Sequence, residues 1–176
     1  MPSLAPDASP VTLYFPRAGD EADKALAEFL TSSNGLVRLA IYSLNRPIIV
    51  SAIQEIKDRV KLITDHVQSF GPGQTAALRE LQAAGVPIKT NHHSGLMHLK
   101  MAVRSDAVAL GSFNSTNNAE MLNDEVFGIF TDSEQVARAA WVFDAMWADT
   151  TRFVPWHPPT AAELGAMRLA FGMPEF

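Results

Sequence analysis

The chain has 176 residues, 47% of them hydrophobic, and a formal net charge of −5. That is enough apolar material for one domain with its own core, and the acidic balance argues against a broad non-specific nucleic-acid footprint while leaving room for a local basic cleft. The absence of cysteine excludes disulfides, thiolate metal ligands and a cysteine nucleophile, and no run approaches the roughly 18 consecutive apolar residues of a membrane span.

Residues 1–10 carry three of the eleven prolines and no periodicity, which predicts an N-terminal arm. Its Pro/Ala/Ser-rich character is compatible with a removed signal or anchor, so cytoplasm and periplasm both stand for a soluble protein. A strand is expected at Val11–Phe15, then a helix with Ala25, Leu26, Phe29 and Leu30 on one face, stopped by Gly35. Leu36–Tyr42 reads as a strand, Arg46–Arg59 as a helix, and Val60–Thr64 as a short apolar strand of the kind buried between helices. The Ser69–Gly73 cluster marks a loop within 65–74. A helix follows through Ala84 with Gly85 as its C-cap, and the next strand begins at Val86.

Met97–Arg104 and Ala107–Ser112 are predicted strands joined by a tight turn at Ser105-Asp106. A helix is expected from about Ser115, a strand at Glu125–Phe130, and a helix over Ser133–Ala148. Residues 151–176, with four prolines and a short helix near Ala161–Phe171, read as a C-terminal extension packed on the domain or on a partner. Strands alternating with helices over 11–150 imply an α/β fold, a layered α/β/α sandwich.

Chemistry concentrates in Met97–Arg104. A period of two puts Met97, Leu99, Met101 and Val103 on a core face, with His98 and Lys100 together on the other, about 7 Å apart along the strand. Both can reach a single phosphate. Gly111-Ser112-Phe113-Asn114 then ends the neighbouring strand, with Ser115-Thr116 as helix caps; Ser112 and Asn114 are small polar donors suited to phosphate oxygens. Glu125, at the opening of the next strand, is placed to accept the second imidazole N–H of His98, fixing its tautomer and raising its basicity.

His98-Leu99-Lys100, Gly111-Ser112-Phe113-Asn114 and Glu125 together resemble the phospholipase D superfamily, whose signature is His-x-Lys-x4-Asp followed by Gly-Ser-x-Asn. The resemblance covers roughly 11–149, including the Ile41-Tyr42-Ser43 strand end, and is strongest to single-motif members of the Nuc-type endonuclease and Zucchini-like nuclease kind. One departure stands out. After the four residues that follow Lys100 comes Ser105, so Asp106, the match to the family aspartate, is displaced by one and falls to a structural role together with Gly111.

The resemblance implies a mixed central sheet and a metal-independent phosphodiesterase without cofactor. In the family two such motifs face each other: one histidine forms a phosphohistidine and the other is general acid, then base. This chain has one motif, so a C2 homodimer is expected to complete the site, with both Lys100 and both Asn114 side chains on the non-bridging oxygens. DNA or RNA, single strands favoured, is the expected substrate. A lipid phosphodiester and phosphate binding without turnover are the alternatives, and no amphipathic membrane-binding segment is apparent.

Other residues carry weaker signals. His92-His93 reads as a loop pair rather than a metal site, because neighbours on a strand point to opposite faces. His66 is an ordinary loop histidine or borders the cleft. Trp141, Phe143 and Trp147 fit core or dimer contacts, and Arg46, Lys57, Arg59 and Lys61 form either a substrate-facing patch or a solvated surface.

Overall fold

The structure, a computed structural model, describes residues 11–171; the expected arm at 1–10 lies outside the described residues. In chain order the regular elements are β1 (Val11–Tyr14), α1 (Ala22–Thr31), β2 (Val37–Ile41), α2 (Pro47–Glu55), β3 (Val60–Thr64), α3 (Pro72–Ala83), β4 (Ile88–Asn91) and β5 (Lys100–Val103). They continue through β6 (Val108–Gly111), α4 (Asn117–Met121), β7 (Phe127–Phe130), α5 (Ser133–Ala148), β8 (Phe153–Pro155) and α6 (Ala161–Phe171). All strands join one eight-stranded sheet in the order β1-β7-β6-β5-β2-β3-β4-β8. Only β2–β3 and β3–β4 are parallel; every other neighbouring pair is antiparallel.

Alternation along the strands divides the core in two. In β2, Leu39 and Ile41 join Leu26, Ile53 and Leu78 on the face covered by α1, α2 and α3. Ala40 on the opposite face joins Met101, Val103, Val136 and Phe143 beneath α5. The central parallel strands are apolar on both faces because both are covered, and this is the expected α/β/α sandwich. Leu39, Ile53, Leu62 and Leu78 are fully buried, and truncating any of them to alanine is worth about 2–5 kcal/mol by the usual transfer-plus-cavity cost. On α5, Phe143 is buried and stacks on Trp147, with ring centroids 5.9 Å apart, whereas Trp141 is exposed.

Boundaries shift where a turn residue governs them. α3 starts at Pro72, whose fixed φ suits a first helical position, so the loop before it is shorter than 65–74 and holds a 3-10 turn at Gln68–Phe70. Gly85 has φ +95 just past α3, as its capping role requires. The 151–176 segment departs most from expectation: instead of only packing on the domain, it adds β8 to the sheet edge, antiparallel to β4 with Thr90 opposite Val154. Pro155 is tolerated there because an edge strand has one side without ladder partners.

Candidate active site

The parallel strands β2, β3 and β4 all end on one rim, and β5, antiparallel to β2 with Ile41 opposite Lys100, begins there. His98 therefore sits on that rim, two residues before β5. The expected strand from Met97 is corrected here: the ladder starts at Lys100, preceded by one further bond from Tyr42 N to Leu99 O at 2.8 Å. Beyond Tyr42 the β2 chain bends away toward Ser115, where Ser115 N donates to Ser43 O at 3.1 Å. Leu99, past the end of the ladder, is consequently exposed, while Met97, Met101 and Val103 are buried as expected.

His98 and Lys100 converge. Lys100 Nζ lies 3.1 and 3.0 Å from His98 Nδ1 and Nε2 and donates to the His98 carbonyl at 3.0 Å. Nearly equal distances to both ring nitrogens place the ammonium over the face of the imidazole rather than along either in-plane lone pair. Tyr42 is the floor of this pair: its ring lies 4.5 Å from the imidazole, tilted by 60°, and 4.7 Å from Lys100 Nζ. Burial pushes the Lys100 ammonium below the usual lysine range, with the Glu125 carboxylate pulling the other way. The Tyr42 phenol is raised by burial and by the charge of Asp65, against a hydrogen bond from Gln68, which keeps it neutral.

Glu125 does not meet His98. One of its oxygens accepts a short hydrogen bond from Ser112 Oγ and the other accepts from Asn123 Nδ2 at 3.1 Å. β7 begins at Phe127 rather than Glu125, and the preceding turn directs the carboxylate toward Ser112. Its influence on the site runs through the field at Lys100 and through Ser112, whose Oγ also accepts from Val126 N at 3.1 Å.

Gly111 is required by close approach: a Cβ there would stand 2.1 Å from Val126 O. Gly111→Ala is expected to force β6 from β7 at a cost of about 1–3 kcal/mol, the usual penalty for overpacking, read as a lower urea midpoint. Phe113 is buried against Phe127, which leaves Ser112 and Asn114 on the opposite side of the alternation. Asn114 Oδ1 is buried with no hydrogen-bond partner. Thr116 caps α4, accepting from Ala119 N at 3.3 Å.

Asp106 lies in the β5–β6 turn, at the far end of β5 from His98. Its carboxylate takes Arg104 Nε at 3.0 Å and Nη2 at 2.5 Å, and Arg104 Nη1 donates to Phe29 O at 3.1 Å. The residue ties a turn to the end of α1. That hydrogen-bonded guanidinium holds Asp106 below the usual carboxylate range, so its stabilising effect is present above the unfolded carboxylate pKa and is lost as pH falls through the lowered folded value. Asp106→Asn is expected to cost less than about 1 kcal/mol at neutral pH, as exposed pairs do, to leave turnover unchanged, and to match wild-type stability in strong acid, all measurable by thermal unfolding and initial rates.

The residues that brace the site were not identified from the sequence. Asp65 is fully buried and accepts from Gln68 N and from Met97 N, each at 3.0 Å, which pins the segment before His98. Asn91 accepts from His66 N at 2.7 Å and donates to Gly95 O at 2.8 Å. Gln68 Nε2 donates to Tyr42 Oη at 2.9 Å. Their only sequence signal is polarity at the C-terminal ends of β3 and β4.

The four cations Arg46, Lys57, Arg59 and Lys61 do not form one patch. Arg46 pairs with Asp23 at 2.6 Å, Arg59 donates to Thr31 O and Gly35 O, and Lys61 lies over Trp147 on the α5 face. The two loop histidines diverge as expected: His93 packs on Phe153, ring centroids 5.6 Å apart, while His92 turns toward His66. Among the described residues, no helix is long and apolar enough to cross a membrane.

Residues 26–147 match the family model described as "Cardiolipin synthase, PLD-like domain". A mitochondrial cardiolipin hydrolase from Xenopus laevis is 29% identical over 134 residues, covering 74% of this chain and 63% of the relative. One from Chlamydomonas reinhardtii is 24% identical over 124 residues, covering 68% of this chain and 55% of the relative. The chain thus spans little more than half the length of these curated relatives. Among solved structures, Nuc from Salmonella typhimurium, a phospholipase D family member, superimposes with a TM-score of 0.75 at 23% identity, covering 84% of this chain and 97% of that one.

Proposed function

This chain belongs to the phospholipase D-like family, and from that premise we propose that it is a phosphodiesterase: a metal-independent nuclease acting on DNA or RNA through a phosphohistidine, at a site shared by two subunits. The observation that carries the reading is the His98–Lys100 pair. An imidazole and an ammonium stand together at an open rim, and the Glu125 carboxylate that acts on Lys100 also holds Ser112. With Lys100 on a phosphate oxygen, a lone pair of the unprotonated His98 of one copy attacks phosphorus. The P–N bond forms as the P–O bond to the leaving alkoxide breaks, and the protonated His98 of the second copy supplies the proton. The same ring then takes a proton from water, which attacks phosphorus and releases His98. Lys100 and Asn114 from both copies neutralise the non-bridging oxygens. Glu125, through Ser112 and its field on Lys100, keeps this donor set oriented. A module that only gripped phosphate would gain nothing from a nucleophilic imidazole beside the ammonium.

A second reading, cardiolipin-type lipid hydrolysis, is favoured by the relatives' names and by Leu96 and Leu99, 56% and 37% exposed on either side of His98. Labelled single- and double-stranded oligonucleotides and cardiolipin vesicles, each in excess chelator and with a His98→Ala control, separate the two. Chelator-resistant, His98-dependent oligonucleotide cleavage is expected; cleavage of vesicles alone would transfer the assignment to lipid.

A further inference from the structure

A second cleft opens along the β4–β8 edge of the sheet and reaches the C-terminal ends of β3 and β4. It encloses about 300 Å³ and is walled by His66 after β3, Phe70 in the 3-10 turn, His92 after β4, Trp156 and His157 after β8, and Glu163 on α6. We infer that this cleft is a subsite for the planar base of a nucleotide flanking the scissile phosphodiester, and that it prefers a base bearing an exocyclic amino group; the inference rests on the nuclease reading above.

Three observations carry it. First, the cleft shares its braces with the His98 rim. His66 N is held by Asn91, whose amide also fixes Gly95 O, and Gln68, beside Phe70, holds the Tyr42 hydroxyl beneath His98.

Second, the lining suits a ring and not an anion or a metal. Indole, phenyl and imidazole groups offer faces and edges for stacking. No Lys or Arg lines the cleft, although those are the residues that hold phosphate. Burial keeps His66 below the ordinary histidine range, and Glu163 adds negative charge. No group of three or more His, Asp or Glu side chains among the described residues is placed to hold a metal ion.

Third, the wall offers a carboxylate oxygen that accepts no hydrogen bond among the described residues. Glu163 Oε2 is used by Thr160 N and Oγ1 at 2.8 and 2.7 Å. Oε1 faces His157 Nε2 at 3.8 Å, too long for a hydrogen bond. An amino group, as in adenine, cytosine or guanine, donates to this oxygen; uracil and thymine present a carbonyl oxygen there instead.

The test titrates the full chain with AMP, UMP and ribose 5-phosphate and follows the imidazole resonances of His66, His92 and His157 by NMR. AMP should shift all three, with UMP about tenfold weaker and ribose 5-phosphate without effect, the tenfold corresponding to one lost polar contact of roughly 1.4 kcal/mol. Glu163→Gln should erase the preference for AMP over UMP. In turnover, Glu163→Gln and His157→Ala should raise KM for an adenine-rich oligonucleotide while leaving hydrolysis of bis(p-nitrophenyl) phosphate, which has no base, at the wild-type rate. Equal shifts with AMP and ribose 5-phosphate, or none with AMP, overturn the subsite. Wild-type failure to cleave any oligonucleotide overturns the nuclease reading instead, and the binding titration reports the subsite independently.

Discussion

His98→Ala is expected to lower phosphodiester turnover by about three to five orders of magnitude, with KM little changed. The size follows from what the ring does. It supplies the nucleophile in one copy and the proton in the other, so one substitution removes both from a symmetric site, and residues acting as a unit fail together. Lys100→Ala should cost less, about two to three orders, because a charge on the non-bridging oxygens is lost while the nucleophile remains. The variants should fold: His98 is exposed, and among the described residues its side chain meets Lys100 and the Tyr42 ring at the surface. Bis(p-nitrophenyl) phosphate hydrolysis in excess EDTA gives the rates, and circular dichroism checks the fold. A His98→Ala chain that retains within tenfold of wild-type turnover would end the phosphohistidine mechanism.

That pair of residues was legible because the period of two in a strand is a local property. Once Met97, Met101 and Val103 are assigned to the core, the positions between them must face away from it. The layered sheet was legible for the same reason, since β3 reads as an uninterrupted apolar run only if helices cover both faces. What the sequence withheld depends on where loops travel. Glu125 turned to Ser112 rather than His98 because the chain between α4 and β7 sets its direction. Asp65 reaches Met97 across 32 residues of sequence, and no local pattern marks such a partner. β8 is three residues long and contains Pro155, so neither alternation nor propensity distinguishes it from a loop. Leu99 shows the limit of alternation itself: the pattern continues in the letters after the ladder that gives it meaning has ended.

Mixing experiments carry the second large effect. If two His98 rings act on one phosphate across a C2 axis, a dimer containing one His98→Ala chain has a nucleophile without its acid, or the reverse, and is inactive. Wild-type and His98→Ala chains combined in equal amounts and allowed to exchange would then distribute as about one quarter, one half and one quarter of the three dimers. Activity should fall to about half that of the same wild-type input kept unmixed, because half of the wild-type chains end in dead heterodimers. Independent sites, one per chain, predict no fall at all. The two outcomes are far enough apart to separate with initial rates, provided light scattering first establishes that the chain is dimeric at the assay concentration. An active chain that sediments as a monomer would place both acid and nucleophile within one copy. In this sequence that would require an acid other than His98, and the histidine to replace first would be His93, which lines the same pocket as His98, whereas His66 and His92 line the second cleft.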